Sequence, residues 1–530
     1  MISTPTNFSH TQKVLWLSWF GLLLVGSFLF VFRIAHESVW MDEAFSIAVA
    51  DHPLGEIWRL TAEDCHPPLY YFMLRAFRLI FGDSILASRL FSAVGAFCLV
   101  LLGIGPIRRV CGNKVALIYT LLAIVMPILV AHAQEIRMYS WAAFFVTGMA
   151  VYTCLAIYEG KRSNWIALGL FTIAAMYTHV YSLFAAFFIG LFALVRLLVK
   201  DRRKLPAFLI AVGIPILLFI PWLFALLQQA SRFSRDYWIP EAGIRVVIGA
   251  LVYPFGLKWC TFGLMWYSFK WLGSLCPGYW LHYIIAAVAF LAIIGGAVTA
   301  SLRRRRNLLL PVLSLFAFFA TLLTGVLLNK LIRPLFWPRY TAPFLGLLLI
   351  AMAYGISQLN KWLTVIICVL LVLSQASVLS FIYWNRFEGP MREVVEYLED
   401  NMGKDDVFVH LDEFTLHTFA FYLPDHPHVM YLKPGSPVYS NLKVHGSIVR
   451  IVSDLSEVSQ ENRGVWIALR SGSLNNRFYD EAVKELGGEP AFLGPVPQVL
   501  HEAADAGGVQ FFRTRYSWYA VVLQRVESSP

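Results

Sequence analysis

Long unbroken apolar runs, bounded by charged and turn residues, dominate the chain up to about residue 384. Runs of about 20 residues match a hydrocarbon layer about 30 Å thick. They start near residues 13, 86, 115, 139, 164, 182, 206, 281, 308, 341 and 362 and predict eleven spanning helices. Beyond that the pattern changes to short β-like runs at 407–411, 448–452 and 519–523, alternating with helical stretches at 391–401 and 480–486. The expected fold is a polytopic α-helical membrane protein of about 11 transmembrane helices with a C-terminal α/β domain. Its parts are residues 1–384, with non-membrane loops 36–85 and 228–280, and residues 385–530.

Of 530 residues, 58% are hydrophobic and 14% charged, against roughly a quarter charged in a soluble domain, which excludes an ordinary soluble cytosolic enzyme. A net charge of +10 would suggest nucleic acid in a soluble chain, but the basic residues sit in every second short loop. They are Arg108, Arg109 and Lys114; Lys161 and Arg162; Arg196, Lys200, Arg202, Arg203 and Lys204; and residues 303–306. Such loops stay in the cytoplasm, so no nucleic-acid partner is required. The alternate turns, both large loops and the tail are then expected on the extracytoplasmic side of the cytoplasmic (inner) membrane. The first span lacks a following small-residue cleavage site and is expected to be an uncleaved anchor. No CxxC pair, Cys/His metal spacing, GxGxxG or Walker motif occurs. Cys260 and Cys276 are a candidate disulfide pair in the second loop.

Candidate chemistry gathers on the outer side. Asp42 and Glu43 open the first loop, where a carboxylate near a low-dielectric surface suits a general base and a ligand; the alternative is Asp42 as a helix N-cap with Glu43 in the first turn. Glu63, Asp64, Cys65, His66, Pro67 and Pro68 come next, and either proline is expected to start a helix whose N-terminus attracts anions. Gln134, Arg137 and Tyr139 lie in the turn between the third and fourth spans and His179 in the turn between the fifth and sixth, where interfacial anchoring is the competing role. Lys330, Arg333, Arg339 and Tyr340 surround the tenth span's start, against the usual charge rule, and Arg pairs well with phosphate oxygens. The loop residues Arg232, Phe233, Arg235, Tyr237 and Trp238 suit stacking on sugar rings or an interface. Ionisable residues at membrane depth usually face a protein interior, and together these outline a site for a phosphorylated lipid.

These motifs resemble those of the GT-C superfamily of membrane glycosyltransferases, in the family 39-like branch of protein O-mannosyltransferases and the lipid A aminoarabinose transferase. The matching pieces are Asp42-Glu43, His66-Pro67-Pro68-Leu69-Tyr70-Tyr71, Gln134-Glu135-Ile136-Arg137-Met138-Tyr139, Tyr177-Thr178-His179 and Pro338-Arg339-Tyr340. The resemblance covers residues 1 to about 384. It implies an inverting transfer of one sugar from a polyprenyl-phosphate donor to a glycan, lipid or protein acceptor, with Asp42 as base. Glu43, His66, Gln134, Arg137, Tyr139, His179, Arg339 and Tyr340 would then bind substrate, and membrane lipids would surround the protein. The family includes members that bind a divalent cation, for which Glu43, Asp64 and His66 are the candidate ligands here. The aminoarabinose branch carries lysine where His66 stands, which argues against lipid A as acceptor. A non-enzymatic lipid transporter or flippase, or an envelope-assembly partner, is the alternative; a transporter would show paired helix breaks in two related halves, and Pro127, Pro215 and Pro221 are the places to look.

Overall fold

A computed structural model describes residues 10–232, 243–256, 279–302, 308–331, 335–384, 389–433, 440–455, 458, 464–470, 484, 504–506, 509–512 and 521–527. Phe233, Arg235, Tyr237 and Trp238, the pair Cys260 and Cys276, residues 303–306 and Arg333 lie outside these residues, as does nearly all of the helix expected at 480–486. The chain forms two compact units that do not follow chain order: Met1–Ile34, Cys65–Tyr70 and Arg89–Ile382 make the first, and Ala35–Asp64, Tyr71–Ser88 and Tyr383–Pro530 the second.

The first unit is a bundle of apolar helices, and the protein is a multi-pass membrane protein. Helices stand at all eleven expected positions. Among the described residues eight are long and apolar enough to cross a membrane, or nine if the bent pair Asn113–Val125 and Pro127–Ala133 is one span. Of the other two, the Arg162–Met176 helix has only 15 residues, and Tyr279–Leu302 has a described apolar stretch of only Ala287–Gly296. The bent pair turns by 62° because Pro127 restricts its predecessor: Met126 is extended at ψ 115, the conformation a following proline favours. Pro215 and Pro221, by contrast, lie inside the continuous Leu205–Arg232 helix.

Small residues allow one close helix contact. A Cβ on Gly355 would lie 2.5 Å from the Ala292 carbonyl oxygen, and one on Gly296 would lie 2.3 Å from Gly355 Cα, so the Tyr279–Leu302 and Leu345–Ser357 helices meet backbone to backbone. One end of the bundle is tied through its basic loops. Arg109 pairs with Glu159 at 2.7 Å, Lys204 donates to the Ile157 carbonyl at 2.7 Å, and Lys114 donates to the Ser357 carbonyl at 2.6 Å.

The second unit carries a seven-stranded sheet of β1 (Val407–His410), β2 (His428–Tyr431), β3 (Val449–Val452), β4 (Gly464–Arg470), β5 (Ala504–Ala506), β6 (Val509–Phe512) and β7 (Val521–Glu527) in the order β3-β2-β1-β4-β7-β6-β5. β1 runs parallel to β2 and β4, and β2 to β3, while β7 pairs antiparallel with β4 and β6. Strands arise near the three expected runs, residues 519 and 520 of the last lying outside the described residues, and the Met391–Asn401 helix has its expected bounds.

Its core joins Met391, Val394, Leu398, Phe408, Phe419, Trp466 and Leu523 to Trp40 from the loop after the first span. Burying an aromatic of this size stabilises by several kcal/mol, so the Met41–Ala50 helix is an integral part of this unit. The Val39 amide also donates to the Tyr422 hydroxyl at 2.7 Å.

Candidate active site

In the membrane unit, His179 opens the Val180–Lys200 helix as its N-cap, at φ −158 and ψ 143. Its Nδ1 accepts the Tyr181 amide proton at 3.0 Å. An acceptor nitrogen carries no proton, so the neutral ring holds its proton on Nε2. That Nε2–H is buried and has no hydrogen-bond partner among the described residues. The His66 ring lies 5.4 Å away, and its buried Nδ1 likewise has none.

His66 is held there by backbone. The Leu69 amide donates to the Tyr177 carbonyl at 3.1 Å, joining the His-Pro-Pro segment to the turn before His179. The helix expected at Pro67 or Pro68 begins at Leu69, which leaves both prolines in the approach to it.

Arg137 and Arg339 complete the cluster. Arg137 sits in the turn before the Tyr139–Glu159 helix and is 3% exposed. Arg339 lies in the 3₁₀ segment Pro338–Phe344 with its guanidinium 5.6 Å from the Tyr340 ring centre. The His179 ring neighbours Tyr139 and Tyr340, each at 5.7 Å, and Tyr340 stacks on Tyr181 at 5.3 Å. The Tyr181 hydroxyl anchors this wall by donating to the Leu335 carbonyl at 3.0 Å.

Burial, then the Arg137 charge, the neighbouring His179 and the Arg339 charge, push the His66 imidazole well below its usual range. Burial, Arg137 and Arg339 push His179 down to about 3. The cluster therefore combines two permanent cations with two neutral imidazoles, an environment that favours a bound anion.

Residues 65–224 match the family model described as dolichyl-phosphate-mannose-protein mannosyltransferase. A crystal structure of ArnT from Cupriavidus metallidurans bound to undecaprenyl phosphate is similar to the chain with a TM-score of 0.58 at 12% identity, covering 97% of this chain and 98% of that one. The fold is that of the GT-C membrane glycosyltransferases. An Archaeoglobus fulgidus oligosaccharyltransferase in complex with zinc and sulfate is similar with a TM-score of 0.49 at 12% identity, over 85% of this chain and 67% of that one. No curated protein matches the chain by sequence.

Not every candidate joins the cluster. The Gln134 amide nitrogen is occupied by the carbonyls of Leu29, Phe30 and Phe32, at 3.2, 3.3 and 3.0 Å. It closes the end of the His10–Val31 helix, a structural position that takes its donors away from substrate. Sequence reasoning also missed a buried triad. His132 Nδ1 lies 2.8 Å from Glu135 Oε2, its Nε2 lies 3.0 Å from the Tyr253 hydroxyl, and its ring stands 4.4 Å from Tyr139. The three-residue spacing of His132 and Glu135 was a usable signal; Tyr253 is 121 positions away and left none.

Asp42, Glu43 and Asp64 belong to the second unit. Asp42 is 9% exposed and Glu43 1%. The N-cap of the Met41–Ala50 helix is Trp40, without a side-chain cap bond, so Asp42 is a first-turn residue and not the cap. Among the described residues no group of three or more His, Cys, Asp or Glu stands in ligand geometry for a metal ion, Glu43, Asp64 and His66 included.

Proposed function

We propose that the protein is an inverting glycosyltransferase that takes one sugar from a polyprenyl-phosphate donor and passes it to an acceptor on the outer face of the inner membrane. The observation that carries this reading is the convergence of the buried Arg137 and the half-buried Arg339 with the buried, neutral imidazoles of His66 and His179. Undecaprenyl phosphate in the ArnT structure of similar fold supports a lipid phosphate as the anion. Nucleotide sugars are made in the cytoplasm, so an outward-facing transferase needs a donor carried through the membrane as lipid.

Arg137 and Arg339 stabilise the charge that grows on the phosphate as the anomeric C–O bond breaks, and His179 Nε2–H donates to one of its oxygens. Asp42 takes the proton of the acceptor hydroxyl as that oxygen attacks, a role that general-base catalysis typically makes worth about 10² to 10⁴ in rate. The sugar and acceptor are read out by mass spectrometry of lipid-linked sugars and envelope glycans with and without the gene. Accumulated polyprenyl-phosphate sugar, restored to normal by the wild-type protein but not by Asp42→Asn, is the expected result. Unchanged lipid-linked sugars and glycans in the deletion would refute the transferase reading.

A further inference from the structure

The second unit holds a pair of imidazoles that the transfer step above leaves unused. The Glu413–Tyr422 helix packs on the Met41–Ala50 helix. His417 lies at this contact, where Phe45 meets its ring edge-on at 5.5 Å. Asp42, three positions before Phe45, shares that helix face, and its charge acts on the His417 ring.

His417 is 1% exposed. Its Nδ1 lies 2.9 Å from Nε2 of His445, and His445 is half-buried. The pair thus leads from a buried ring towards solvent. The His445 segment is pinned by His52, whose Nε2 lies 2.8 Å from the Val444 carbonyl oxygen.

Burial holds the His417 imidazole down to about 4, in the carboxylate range, while Asp42 pulls it upward. Burial and the surrounding His417, His428 and His52 hold His445 lower still, at about 2. Both rings are neutral at pH 7 and able to take a proton in passing.

We propose that His417 and His445 are the proton exit for Asp42, a proposal that rests on Asp42 being the base. The acceptor O–H bond breaks as the new C–O bond forms, and the proton goes to the Asp42 carboxylate. The Asp42 O–H bond then breaks as an N–H bond forms at His417 Nε2. His417 releases its Nδ1 proton to His445 Nε2, and His445 gives its other proton to water. One proton moves from acceptor to solvent with no change of oxidation state, and reorientation of the two rings, which brings each protonated nitrogen back to the side it started from, resets the relay. His417 is a positioning residue that acts through Asp42.

The test uses the purified full-length protein, with polyprenyl-phosphate sugars extracted from cells lacking the gene as donor and water as acceptor, and follows released sugar by rapid quench. In His417→Gln the first turnover keeps its rate while later turnovers slow by about tenfold or more, with KM unchanged; this is less than the loss of a direct base because Asp42 remains. A merely structural role would slow the first turnover too. His445→Gln, at a half-buried site, shows the same burst. Steady-state turnover equal to wild type in both variants, with Asp42→Asn inactive, overturns the proton exit alone. An active Asp42→Asn protein overturns the base assignment and the exit with it.

Discussion

Replacing His179 by Asn separates two roles that the structure gives to one ring. Asn is as good an N-cap as any residue, so its side-chain oxygen keeps the bond that Nδ1 now accepts from the Tyr181 amide at 3.0 Å. It has no counterpart to the buried Nε2–H, the donor without a partner among the described residues. A hydrogen bond to a charged oxygen is worth about 1.5 to 3 kcal/mol. At 1.4 kcal/mol per tenfold, His179→Asn should weaken binding of polyprenyl phosphate by about 10- to 150-fold with the melting temperature nearly unchanged. His179→Ala loses the cap as well and should cost about 1 kcal/mol more in stability. Both are measured on the same nanodisc-reconstituted protein, by titration with undecaprenyl phosphate and by thermal melting. Wild-type affinity in His179→Asn would remove the ring from the phosphate site, whatever the alanine variant does.

The buried histidines predict acid sensitivity. His179, His417 and His428 have folded values of about 3, 4 and 4, below the ordinary value near 6.5 that the unfolded chain regains. The unfolded state therefore binds more protons between these limits, and stability falls as pH drops below about 6.5; a melting temperature that stays level from pH 7 to 5 would contradict this. Gly355→Leu drives a side chain into the Ala292 and Ile293 backbone and should cost about 1 to 3 kcal/mol or more, read as a lower melting temperature, and a wild-type melt would show that the helices can part freely. A reporter active only in the cytoplasm, fused after Pro530, should stay silent, and a strong signal would reverse the proposed orientation.

Bilayer thickness made the membrane part legible, because a helix that must cross about 30 Å of hydrocarbon needs a long apolar run whatever its neighbours are. Helices accordingly stand at all eleven expected positions, and the Pro127 break follows from a local steric rule. Residue type alone also singled out His66, Arg137, His179 and Arg339, since such groups are costly at membrane depth unless they face protein. Other features depend on contacts between distant segments and left no local trace. Gln134 looked like a ligand in its motif, yet it closes a helix more than 100 positions earlier. Tyr253 joins His132 from a different part of the bundle. Trp40 completes the core of the tail domain, and through that packing Asp42 comes to act on His417. Local sequence sets which residues enter the membrane and where chains turn; only the closing of tertiary contacts decides which side chains meet, which tautomer His179 holds, and which hydrogen-bonding atoms are left for a substrate.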